Sequence, residues 1–193
     1  MDRLKRHSLD NETFQGLAMP GESLKGREFS QCRFIACDFT GADFSDCRFE
    51  SCRFEDCNLS LVQYQDCRLQ DVRFIRCKLE GGALGKCDGF ALTVAFEDCL
   101  IRSCSFLKMN LRKTPFRRCD INDCDFISAQ LSEADFSGSA LTGTLFENCD
   151  LTKADFSDAR SYRINPQLNK LKQARFSLPE AVGLLAYLDI RIE

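Results

Sequence analysis

The sequence predicts a solenoid, a chain that turns a corner after every five residues and stacks its coils along one axis. Three observations predict it. A large apolar residue recurs at every fifth position, the residue two places before it is small or modest, and most of what lies between is polar. The first run of centres is Leu24, Phe29, Phe34, Phe39, Phe44, Phe49, Phe54, Leu59, Tyr64, Leu69, Phe74, Leu79 and Leu84. The phase then slips by two residues, and a second run follows as Phe96, Ile101, Phe106, Leu111, Phe116, Ile121, Phe126, Leu131, Phe136, Leu141, Phe146, Leu151 and Phe156. In an α-helix, at about 100° per residue, such centres would smear around the circumference. In a continuous strand an odd period would send every second centre into water. Corners every five residues bring all of them back to one dry shaft.

The slot two residues before each centre explains the composition. All 13 cysteines occupy it, from Cys32, Cys37 and Cys47 to Cys119, Cys124 and Cys149, alongside Ala42, Ala129, Ala134, Ala154 and Ala159. There Cys acts as a small hydrophobe. The 17 Phe against 3 Tyr and no Trp read as interior filling, since binding surfaces favour aromatics with a polar handle. An odd number of cysteines in a chain that opens without a secretory signal speaks against a disulfide framework. Inward thiols have raised pKa values, and the single His, His7, lies far from any cysteine pair that could complete a zinc site. No metal and no cofactor are expected. A net charge of -3 and apolar runs too short for a bilayer point to a soluble protein, expected in the cytoplasm, with no membrane partner.

Segments such as CRFIA, CDFTG, ADFSD and, later, AQLSE and CDLTK resemble the pentapeptide-repeat proteins, with their A(D/N)Lxx consensus. The resemblance covers residues 22–160. It implies an all-β fold, a right-handed quadrilateral β-helix in which four pentapeptides close one square coil. Adding twenty then places Phe96, Phe116, Phe136 and Phe156 on one wall, Phe106, Phe126 and Phe146 on the opposite one, and Arg33, Arg53 and Arg73 in a stack facing carboxylates such as Glu55 and Asp56. Residues 1–21 are expected as an N-terminal cap and 161–193 as a C-terminal capping and dimerisation segment.

Three features interrupt or decorate the shaft. The slip at residues 85–95 puts Gly89 where a centre belongs and Phe90 outside both runs. It is either a tolerated bulge or a contact loop carrying Gly89, Phe90 and Leu92. Residues 99–118 hold six cations and no acid. Residues 119–158 reverse this, with Asp120, Asp123, Asp125, Glu133, Asp135, Glu147, Asp150, Asp155 and Asp158 against Lys153. These acids form a candidate partner-binding wall, although Asp just before a centre also suits turn bonding. In the tail, Ser177 and Glu180 read as a capping box with Pro179 in the first turn. Leu178, Val182, Leu185 and Leu188 form an apolar helix face, and Ile190 and Ile192 alternate in a final strand, a surface suited to a two-fold homodimer.

The tail resembles the branch of the family that holds the Qnr quinolone-resistance proteins, MfpA and McbG, the microcin B17 immunity protein. That resemblance implies a homodimer through the C-terminal segment and a rod that mimics DNA, binds DNA gyrase or topoisomerase IV, and confers quinolone resistance or immunity to a peptide toxin. It implies a protein partner and no direct nucleic-acid binding. The alternative is a pentapeptide-repeat interaction scaffold for another protein, since a fold does not fix a function. Catalytic residues are not expected: one terminal His assembles no Ser-His or Cys-His pair, and no phosphate-cradling glycine loop is present.

Overall fold

The computed structural model describes residues 6–82, 84–89, 91–188 and 190. Parallel strands of two to four residues, and single bridges, stack so that each residue meets the one twenty places on: Phe29 pairs with Phe49, Phe34 with Phe54, Asp38 with Asn58 and Asp43 with Gln63. Twenty residues therefore close one coil of four walls, the quadrilateral β-helix. We number the walls in chain order. The first carries Leu9, Phe29 and Phe49, the second Phe14, Phe34 and Phe54, the third Met19, Phe39 and Leu59, and the fourth Leu24, Phe44 and Tyr64, all buried.

The corners follow from backbone geometry. The residue two places after almost every centre takes a positive φ, as at Asn11 (52°), Gly16 (64°), Gly21 (70°) and Asp46 (57°). Only Gly enters this left-handed region without steric penalty, and Asn and Asp tolerate it best among the rest. That is why Gly, Asp, Asn and Ser crowd this slot.

The shaft is held by rings. On the second wall nine phenyl groups, from Phe14 to Phe176, form an unbroken column of parallel stacks, with centroids 4.7 Å apart at Phe34–Phe54 and 5.3 Å at Phe54–Phe74. In the second half, Phe106, Phe126 and Phe146 rise on the opposite wall and meet this column edge-on, Phe126 against Phe136 at 5.8 Å and 90°. Alternating Phe with Leu or Ile thus shares the volume between walls. Each stacked or edge-on pair adds about 0.5–1.5 kcal/mol beyond the burial itself.

The coil is longer than the sequence boundaries. Ser8–Asp10 pairs with Glu28–Ser30, and Thr13–Gln15 with Arg33–Ile35, so residues 8–21 are the first coil and not a separate cap. Leu9, Phe14 and Met19 keep the five-residue spacing, but the slots before them hold His7, Glu12 and Leu17. An end coil has no neighbour above to demand small residues there. At the other end, Arg163–Ile164 pairs with Leu145–Phe146 and Arg175–Phe176 with Asp155–Phe156, carrying the walls past residue 160.

The tail departs from expectation in its helix. Its helix, Glu180–Tyr187, is a 3-10 helix whose N-cap is Pro179 with no side-chain cap. The capping box does not form because the Ser177 hydroxyl accepts the backbone N–H of Asp158 at 3.1 Å, tying it to the last coil. The final strand is not observed at Ile190, and Ile192 lies outside the described residues. Asn169 seals the coil end: its side chain accepts the Cys149 N–H at 2.9 Å and donates to the Phe146 carbonyl at 2.9 Å.

Candidate functional site

The cysteine slot has a second function that the sequence reading missed. Ten of the twelve buried thiols point at a carbonyl one coil back, as Cys47 does at Leu24 O (2.9 Å) and Cys52 at Phe29 O (3.3 Å). Ser139 and Thr144 fill the same slot and donate to Phe116 O at 2.5 Å and Ile121 O at 2.9 Å. The slot therefore takes a small side chain with a donor, and Ser or Thr standing in for Cys was the available signal. Burial pushes the Cys47 and Cys149 thiols up to about 11, which suppresses the reactive thiolate. Twelve cysteines are buried and Cys87 is half-buried. In native protein at pH 8, Ellman's reagent should label at most one thiol, Cys87, quickly, and all 13 after denaturation; several fast thiols would mean the shaft is open.

The nine acids of the second half do not share one wall. Asp135 and Asp155 lie on the second wall, Asp120 on the third, Asp125 on the fourth and Asp150 on the first. Asp158, Asp123 and Glu133 occupy positive-φ corners, and Glu147 follows Phe146 on the fourth wall. The cause is arithmetic: a period of five on a twenty-residue coil sends successive repeats to successive walls. Acidic charge therefore encircles the shaft.

Several of these carboxylates also hold the coil. Asp135, Asp150 and Asp155 accept the backbone N–H two residues on, from Ser137 (3.0 Å), Thr152 (3.1 Å) and Ser157 (2.9 Å). Hydrogen bonds from Thr152 keep the Asp150 carboxyl below its usual value. Burial raises that of Asp135, and hydrogen bonds from Ser137 and Arg117 outweigh it, leaving it lowered. Three acids pair with cations of neighbouring coils: Glu133 with Lys113 (3.8 Å), Asp135 with Arg117, and Asp155 with Arg175 (3.1 Å). Asp120, Asp123, Asp125, Glu147, Asp150 and Asp158 form no ion pair among the described residues.

In the first half the Arg stack is present, with Arg33, Arg53 and Arg73 in register on the second wall. Glu55 bridges Arg33 (2.9 Å) and Arg53 (3.0 Å), whereas Asp56 pairs with Arg76 at 2.7 Å. The register break is tethered on both flanks. Asp88 bonds Arg68 at 2.7 Å and its N–H reaches Cys67 O, while the N–H of Thr93 reaches Leu69 O. Gly89 is exposed, Leu92 turns inward and packs on the core, and Phe90 lies outside the described residues. Pairing resumes at Val72–Val94, an offset of 22, and the ring column passes through at 5.1 Å between Phe74 and Phe96.

At the C-terminal end, Leu184 packs on the core while Leu178, Val182, Leu185, Leu188 and Ile190 are exposed. These are the residues that the sequence marks for pairing, apart from Ile192. Among the described residues, no His, Cys, Asp and Glu group of three or more is placed to hold a metal ion, and no helix is long and apolar enough to cross a membrane.

No curated protein matches the chain. Among solved structures, a trypsin-treated variant of QnrB1, a plasmid-mediated fluoroquinolone resistance protein, is 18% identical over 94% of this chain and 100% of its own, with a TM-score of 0.69. A second trypsin-treated QnrB1 variant is 21% identical over 96% of this chain and 90% of its own, with a TM-score of 0.47. HetL, a pentapeptide repeat protein from the cyanobacterium Nostoc sp., is 16% identical over 87% and 86%, with a TM-score of 0.27. The first of these likenesses supports the fold. The family model of the pentapeptide repeat region matches residues 27–103 and 99–176, most of the four-walled shaft, and the chain belongs to that family.

Proposed function

We propose that this protein is a non-catalytic binder of DNA gyrase or topoisomerase IV that acts in the cytoplasm as a mimic of duplex DNA and protects the enzyme from a quinolone or a peptide toxin. One observation carries the reading, the density of free acid around residues 119–158. Six acids without ion-pair partners and one Lys leave a charge of -5 on two coils. At about 4.8 Å per coil this is roughly one charge per 2 Å, against one per about 1.7 Å of duplex DNA. The free charge spreads over three walls and the corners of a stiff rod, and a basic DNA-binding saddle attracts such an object. Pairing two copies through Leu178, Val182, Leu185, Leu188 and Ile190 brings their acidic coils to the middle of a longer rod.

The test adds purified protein to gyrase and topoisomerase IV supercoiling, decatenation and drug-stabilised cleavage reactions at rising salt. Mimicry predicts protection that fades as salt shortens the screening length below about 8 Å. No effect on either enzyme at micromolar protein would leave the alternative, a scaffold for another protein, which the wholly cationic stretch of residues 99–118 favours. For the dimer, Leu185→Asp should halve the mass seen by light scattering while the circular-dichroism spectrum is kept. An unchanged mass would remove the C-terminal interface.

A further inference from the structure

The second wall carries a charge ladder in the residue before each centre, and that ladder has a gap. Arg33, Arg53 and Arg73 stack on its N-terminal side and Asp135 and Asp155 on its C-terminal side. Between them stand Ala95 and Pro115, which project no charge. The gap opens a groove of about 500 Å³ at the corner of the first and second walls. Ala95 and Pro115 lie along it, Thr93 of the register break lines one edge, and Arg73, Arg112 and Lys113 rise around it. The two-residue insertion is what sets Ala95 beside Arg73.

The charges in this groove are not equivalent. Arg53 pairs with Glu55, Lys113 with Glu133, and Arg117 with Asp135. The lining acids are also engaged, Asp71 with the Ser51 hydroxyl at 3.3 Å and Glu97 with Arg118. Arg73 and Arg112 form no ion pair among the described residues. Two uncommitted guanidinium groups therefore flank an apolar floor, and guanidinium binds carboxylate through two parallel hydrogen bonds.

We propose that this groove binds a short acidic segment of a protein partner, its carboxylates held by Arg73 and Arg112 and its backbone lying over Ala95 and Pro115. The length of the cationic window selects this ligand. From Arg53 to Pro115 the ladder spans three coil spacings, about 14 Å, or roughly four extended residues. A longer polyanion such as a nucleic acid would run on to Asp135 and Asp155, which are already paired with Arg117 and Arg175 and offer it no free cation. The proposal is independent of the topoisomerase reading, which rests on the acidic coils.

A fluorescein-labelled hexaglutamate peptide, titrated with the full chain at about 50 mM salt and read by anisotropy, tests it. Saturable binding is expected, with Arg73→Gln and Arg112→Gln each weakening it about 3- to 10-fold, the range of one charge-assisted contact. Arg102→Gln, an exposed cation on the third wall, should change it less than 2-fold, and unlabelled hexaglutamine should not compete. The proposal is overturned by absence of saturable binding at millimolar protein, by equal losses from Arg102→Gln, or by a hexathymidylate that competes as well as hexaglutamate. Melting temperatures of the three variants within a few degrees of the parent confirm that all are compared as folded rods.

Discussion

Phe116→Ala is expected to destabilise the protein by about 3–5 kcal/mol, the cost of emptying a fully buried aromatic site. The ring is 0% exposed and sits mid-column, stacked on Phe96 at 5.0 Å and Phe136 at 4.9 Å and edge-on to Phe106 at 5.8 Å and Phe126 at 5.7 Å. Four rings lose a partner at once, and stacked coils give little freedom to collapse into the void. At about 2–4 °C per kcal/mol for a chain of this size, the melting temperature should fall by roughly 10 °C. Phe176→Ala, at the column's end, removes a half-buried ring with one stack, at 5.1 Å to Phe156, and one tilted contact, at 5.6 Å to Tyr162. It should cost less than half as much. Since a solenoid's stability is a sum of repeat and nearest-neighbour terms, equal losses by thermal and urea melts would show that the column does not carry the stability ascribed to it.

Tyr64→Phe is expected to act in the opposite direction. Tyr64 occupies a centre on the fourth wall, 2% exposed, with its ring edge-on to Phe44 at 6.0 Å. Its hydroxyl has no hydrogen-bond partner among the described residues, and burial holds its pKa well above the usual value. An unsatisfied buried hydroxyl costs about 1–3 kcal/mol, while the phenyl ring that remains keeps the same stack. The variant should therefore melt several degrees higher. A lower melting temperature would reveal that the hydroxyl is satisfied, for example by a buried water.

Much of this molecule is written in its period. Phe96, Phe116, Phe136 and Phe156 stack on one wall and Arg33, Arg53 and Arg73 on the same wall further up, as counting by twenty predicts. The inward cysteines follow equally well. Three things were less legible. The first coil hid because Leu9, Phe14 and Met19 lack small residues before them. The nine acids read as one wall because they are close in sequence, whereas the coil deals consecutive repeats to different walls. The tail read as a helix with a capping box because local propensity favours one, but the Ser177 hydroxyl is engaged by the coil and the helix carries no side-chain cap.

The order of residues alone determined that the chain must coil, because a strict five-residue spacing of Phe and Leu can be buried in no helix and no flat strand. It also determined which side chains point inward. Only the folded coil decided which charges meet, since neighbours in space lie about twenty residues apart: Arg118 finds Glu97 and Asp98, Arg117 finds Asp135, and Arg73 and Arg112 are left facing a gap. Burial is dictated by each residue's own character and period, but an electrostatic surface is a property of pairs, and pairs exist only once the walls have stacked.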